Sequence, residues 1–267
     1  MPRATVNGVS LYHEVTGRGS PLVLVHGFAC GIRSWDPQVK ALSRAHRVIT
    51  YDARGHGISE APDDASAYSQ SASVEDLRGL LEHLRIRRAA VGGLSMGGNI
   101  ALNFALTYPT MVSRLIIADT GAGSDATSEW ITGVHGFADA LGRGMEAFAD
   151  MASANPLFAR YIAQGPEAER FIRSCLMTHR AHGLAHTARE VLARRPTIYS
   201  LDSRLRALRV PTLLVVGEHD EPCLAVHRFM GETIPHARHL VLPGVGHLTN
   251  LEAQTRFNAA VRRFLRG

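Results

Sequence analysis

The chain has 267 residues, of which 45% are hydrophobic and 20% charged, a balance that excludes a disordered chain and suffices for one full core with an insertion. Its net charge of +5 is spread over short groups (Arg85-Ile86-Arg87-Arg88, Arg194-Arg195, Arg262-Arg263) with no interleaved aromatics, which reads as solvated helix ends and excludes a nucleic-acid partner. No apolar run reaches eighteen residues, Met1-Pro2-Arg3-Ala4-Thr5 has no apolar leader core, and Cys30, Cys175 and Cys223 form no C-x-x-C pair, so a cytoplasmic protein with reduced thiols and no membrane partner is expected.

Asn7-Gly8, between two short β-rich runs, predicts a hairpin at the start of the chain. Leu22-Val23-Leu24-Val25 and Val48-Ile49-Thr50-Tyr51 follow as buried strands, with a helix over residues 35–45 between them. A second helix is expected over 73–84, capped by Ser73 with Asp76 three residues on. Ala90-Val91 then runs into Gly93-Leu94-Ser95-Met96-Gly97, and a helix opens at Met96. Leu115-Ile116-Ile117-Ala118 is the next strand. From 121 to 199 no strand-like run occurs. Helical patterns over 136–153, 156–163 and 167–186 predict a helical cap there, inserted between the sixth and seventh strands of a core made of 1–120 and 200–267. Thr212-Leu213-Leu214-Val215-Val216, His239-Leu240-Val241-Leu242 and a helix over 254–265 complete the chain. Continuous β-rich runs alternating with helices predict an α/β fold with a mostly parallel eight-stranded sheet covered on both faces.

In such sheets functional groups collect beyond the carboxyl ends of the strands. Those ends deliver His26-Gly27-Phe28-Ala29, Asp52-Ala53-Arg54-Gly55-His56-Gly57, Ser95, Asp119, Gly217-Glu218-His219-Asp220 and Gly246-His247. A serine is a poor nucleophile unless it is lifted to a base and to a helix N-terminus, which the glycines flanking Ser95 permit. The order Ser95, Asp220, His247 matches that of nucleophile-elbow enzymes, with Asp119 as the rival acid. Asp52 and Arg54 are expected to pin their loop. His179, His182 and His186 share helical spacing without an H-E-x-x-H pattern, so an exposed or lid-lining face is expected and no metal. No P-loop lysine and no G-x-G-x-x-G after the first strand argue for no cofactor.

These residues resemble the α/β-hydrolase superfamily across nearly the whole chain outside the cap. Within it the chain is similar to cofactor-free esterases, enol-lactonases and carbon–carbon bond hydrolases, and Arg33-Ser34-Trp35-Asp36-Pro37-Gln38 resembles the 3-oxoadipate enol-lactonases. The resemblance implies that Ser95 attacks a carbonyl, His247 serves as base and acid, and Asp220 orients the imidazole. It also implies an oxyanion hole made by the backbone N–H groups of Phe28 and Met96. Gly27, Trp35 and Trp130 are the candidate substrate contacts. The expected substrate is a small, moderately apolar ester or lactone. Arg160, Arg173, Arg180 and Arg189 are the cap arginines that would bind a carboxylate if one faced inward. A carbon–carbon bond hydrolase of vinylogous diketones or a 3-oxoadipate enol-lactonase-like enzyme is the alternative, with a slow-turnover ligand sensor as one from another class, and the oligomeric state is open.

Overall fold

The computed structural model describes residues 1–125 and 127–267. Eight strands form one sheet: β1 (Arg3–Val6), β2 (Val9–Thr16), β3 (Ser20–Val25), β4 (His46–Tyr51), β5 (Ala89–Leu94), β6 (Val112–Ala118), β7 (Thr212–Gly217) and β8 (Arg238–Leu242). Their spatial order is β1-β2-β4-β3-β5-β6-β7-β8. β1 and β2 are antiparallel about Asn7 and Gly8, both at positive φ, as the tight hairpin turn demands. β2 runs antiparallel to β4, and all later pairings are parallel. Every residue of β5 and β7 is buried, which is why these strands read as continuous apolar and glycine runs instead of alternating ones.

Between the strands lie α1 (Asp36–Leu42), α2 (Gln70–His83) and α3 (Met96–Thr107). The β6–β7 connection carries α4 (Ser128–Gly142), α5 (Met145–Ser153), α6 (Pro156–Ile162), α7 (Pro166–Leu176) and α8 (Ala181–His186), the last running into a π-helical turn over Thr187–Leu192. After it come α9 (Asp202–Ala207), α10 (Glu221–Thr233), the single turn α11 (Thr249–Glu252) and α12 (Gln254–Arg266). α2 packs on α3, and α1 on α12. Among the described residues no helix is long and apolar enough to cross a membrane.

Several boundaries differ from expectation, each for a local reason. The helix expected from residue 35 is a 3₁₀ turn over Ile32–Trp35 followed by α1. α2 begins earlier than Ser73: Ser69, in extended backbone, accepts from the Ala72 N–H at 3.0 Å, and Ser73 lies inside the helix with its hydroxyl on Ser69 O. Any of the serines 69, 71 and 73 has cap chemistry, and the earliest gains the helix another turn of backbone bonds. The helix expected over 136–153 breaks at Gly144, whose φ of 116° is open to glycine but not to a helical residue. The one expected over 167–186 stops after Leu176, because His179 leaves the helix to bond the core, and restarts at Ala181.

Candidate active site

The site starts with the turn from β5 to α3. Ser95 stands at φ 56°, ψ −115°, outside the usual regions for a residue with a side chain, and its N–H donates to Ala118 O at 2.9 Å. A Cβ on Gly93 would lie 2.1 Å from Gly97 O, and one on Gly97 would lie 2.1 Å from Val25 O, so this sharp turn accepts only glycine at both places. Met96 is the first residue of α3, so its N–H has no partner within the helix and sits at the positive end of the helix dipole.

The loop after β3 closes a tight turn, with Cys30 N–H on Gly27 O at 3.1 Å and Ala29 at φ 55°. Phe28 occupies that turn, and its ring meets Phe137 at 6.2 Å and Phe148 at 6.3 Å between centroids, both from the cap. His26 holds the loop by donating from Nδ1 to Gly27 O and accepting at Nε2 from the Ala53 N–H. Asp52 accepts from the N–H groups of Ile32 and Ile58, and Arg54 forks onto Asp76. Both residues thus serve loop architecture.

His247 and Asp220 meet at 2.9 Å between Nδ1 and Oδ2, both buried. A carboxylate only accepts, so Nδ1 carries the proton and Nε2 keeps its lone pair. Burial alone would lower the His247 pKa, but the charge and hydrogen bond of Asp220, helped by Asp119 and Glu252, outweigh it and raise the imidazole above its ordinary value. Burial disfavours the Asp220 charge as well, yet the pairing with His247 dominates and holds its carboxyl low.

Asp119 has a different use. It is wholly buried, at φ 45°, and accepts from Gly217 N–H on one oxygen and from the N–H and hydroxyl of Thr249 on the other. It ties the end of β7 to α11, and burial together with the charge of Asp220 raises its pKa well above the ordinary value. The Cys223 sulfur lies within 4.8 Å of the Asp220–His247 pair. Burial and the two carboxylates raise the pKa of that thiol well above its ordinary value.

Ser95 and His247 line one cavity of ≈ 50 Å³, together with Gly27, Phe28, Trp130 and the aromatic side chains of the cap. That is small beside the roughly 300–1,000 Å³ of clefts that hold drug-sized ligands, so the cap leaves little free space over the serine. Gly27 and Trp130, two of the candidate substrate contacts, line this cavity. Trp35 does not. It is 1% exposed and packs on Phe257 of α12 at 6.2 Å, a core position reached because the 3₁₀ turn points its ring under the loop instead of into the cavity. The histidines expected on an exposed or lid-lining face instead fasten the cap to the core. His179 accepts from Gly57 N–H at Nδ1 and donates from Nε2 to Ala29 O, while His182 and His186 donate to Ala61 O and Asp63 O. Burial pushes the His179 pKa down to about 4, which keeps it neutral in this role.

Of the four arginines weighed as carboxylate ligands, Arg173 pairs with Glu146 and Asp150 and Arg189 with Asp139 at the surface, Arg160 reaches Gly244 O, and Arg180 precedes α8. None of the four lines the cavity. Arg195 does. No helical pattern in the sequence marks it: it lies in the bend after the π-helical turn, its N–H on Val191 O at 2.9 Å, whereas its neighbour Arg194 pairs with Glu190.

The family description "alpha/beta hydrolase fold" matches residues 20–254. The chain is similar to the enol-lactonase from Burkholderia xenovorans LB400, at 29% identity over the whole of both chains with a TM-score of 0.88. It is also similar to a thermophilic esterase from Thermogutta terrifontis, in a malate-bound structure, at 31% identity over 99% of this chain and 97% of that one, with a TM-score of 0.85. Among curated relatives, the 2-hydroxymuconate semialdehyde hydrolase of Pseudomonas sp. (strain CF600) is 29% identical over 94% of this chain and 88% of its own length.

Proposed function

Because the chain belongs to the alpha/beta hydrolase fold family, we propose that it is a cofactor-independent serine hydrolase cleaving a small, moderately apolar carboxylic ester or lactone through an acyl-enzyme. The observation that carries this reading is the buried His247–Asp220 pair, whose imidazole shares a cavity with the serine at the strained elbow. His247 Nε2 takes the Ser95 hydroxyl proton as the oxygen attacks the carbonyl carbon. The resulting oxyanion meets the backbone N–H groups of Met96 and Phe28, donors of a kind typically worth about 3 kcal/mol each in the transition state. His247 then passes its proton to the departing alcohol oxygen. In the second half it deprotonates water, which attacks the acyl carbon, and the proton returns to Ser95 as the acid leaves.

The aromatic walls contributed by Phe28, Phe137 and Phe148 favour an apolar acyl or ring portion. A second reading, an enol-lactonase-like enzyme, draws on the likeness to the Burkholderia protein across the entire chain. A fluorophosphonate probe followed by a panel of p-nitrophenyl esters and lactones tests the proposal. Stoichiometric labelling at Ser95 with turnover on one of the two substrate groups is the expected result. An unlabelled protein that hydrolyses neither group is no serine hydrolase.

A further inference from the structure

Arg195 is the one cation among the residues lining the Ser95 cavity for which no ionic partner is seen. Among the described residues no carboxylate lies within salt-bridge distance of its guanidinium, although the adjacent Arg194 holds Glu190 at 2.7 Å. Its Nη2 donates to Ala122 O at 2.8 Å, and its guanidinium carbon sits 5.9 Å from the centroid of the Trp130 ring, another cavity wall. Its Nη1 is cut off from solvent and has no hydrogen-bond partner. Burial lowers its pKa to about 10, so the group still carries its charge at neutral pH.

The residue as a whole is only partly buried, but a guanidinium nitrogen shut off from solvent with neither a hydrogen-bond partner nor a counter-charge is costly, and a ligand carboxylate would complete it. With the Ala122 carbonyl oxygen and the Trp130 ring beside it, the guanidinium makes a polar corner in a cavity otherwise walled mostly by aromatic and aliphatic groups. We propose that Arg195 is a specificity-determining residue that binds a carboxylate carried by the substrate, away from the bond that is cleaved. This rests on the reading of the cavity as the site of ester or lactone cleavage, and it narrows the substrate class to monoesters of dicarboxylic acids and lactones bearing a free carboxylate. A planar, permanently charged fork suits a carboxylate better than a lysine would, because two parallel N–H bonds fix its orientation. Trp130 supports the fork from its face.

The test compares p-nitrophenyl hydrogen glutarate with p-nitrophenyl valerate, which share an acyl carbon count and differ in the terminal carboxylate. The wild-type protein should prefer the glutarate by about tenfold or more in kcat/KM, the scale of a charge-assisted bond in a shielded site. Arg195→Gln should collapse that ratio toward one, mainly through KM of the glutarate, and Arg195→Lys should keep part of it. If Arg195→Gln fails to fold, Arg195→Lys alone decides: a ratio equal to wild type overturns the proposal. A wild-type preference for valerate, or a ratio unchanged in Arg195→Gln, also overturns it. Should neither ester be hydrolysed, the hydrolase reading fails on its own account. Calorimetric binding of glutarate to the intact protein then tests Arg195 separately: at least tenfold weaker binding to Arg195→Gln supports the site, and equal or absent binding to both removes it.

Discussion

Ser95→Ala keeps the fold and loses at least about 10³-fold in ester or lactone hydrolysis, and His247→Ala is damaged to a similar degree. The fold survives because alanine meets the same backbone demand at φ 56° as serine, and the glycines that make the turn are untouched. Activity falls because among the described residues no other hydroxyl lines the cavity beside His247. Residual turnover comes from oxyanion donors and binding alone, which act on a water in place of the serine. The double variant should be no worse than either single one, since nucleophile and base act as a unit. Steady-state rates on purified proteins decide the matter, and wild-type-like turnover by Ser95→Ala would refute the mechanism.

Asp220→Asn should cost about 10³–10⁴-fold, and Asp119→Asn less than about tenfold. The two carboxyls are both buried and near His247, but only Asp220 touches its ring. An asparagine at 220 removes the charge that stabilises the imidazolium and leaves the tautomer unfixed. At 119 it costs one of the bonds to Gly217 or Thr249, so the loss is mainly in stability, about 1–3 kcal/mol. The pH profile gives an independent reading. His247 must be neutral to accept a proton, and its pKa is raised, so kcat/KM should climb with pH through a limb lying above 6.5. Without the Asp220 charge, burial is less opposed and the limb moves to lower pH, even as the plateau drops. A limb that stays in place in Asp220→Asn, or that moves only in Asp119→Asn, would reassign the acid.

The parts of this fold that were readable from the chain are those in which one local rule decides. Asn7-Gly8 can make little but a hairpin, and Gly93 and Gly97 answer a backbone approach that no other residue tolerates. The central strands β5 and β7 announced themselves because burial on both faces leaves no polar alternation to blur them. What escaped was set by partners distant in sequence. His179 looks like one member of a helical triplet until Gly57 and Ala29 arrive from the core, more than a hundred residues away, to take it out of the helix. Trp35 has the shape of a pocket residue, and only the packing of Phe257 shows that its ring turns inward. Arg195 was hidden by its neighbour: as a doublet the two arginines read as surface charge, and only the bend after the π-helical turn puts Arg195 on the cavity wall while Arg194 pairs with Glu190.

The backbone of Ser95 has a consequence for how this sequence is free to change. A residue with a Cβ held at φ 56°, ψ −115° costs the fold of order 1–3 kcal/mol, a cost glycine avoids. Ser95→Gly should therefore melt higher than Ser95→Ala while sharing its inactivity, which a pair of thermal denaturation curves would show; equal melting points would mean that the elbow carries no strain. Selection for durability and selection for turnover pull this one position in opposite directions. A directed-evolution campaign that scored heat resistance alone would drift toward dead proteins through position 95, and only a screen coupled to catalysis would hold the serine in place.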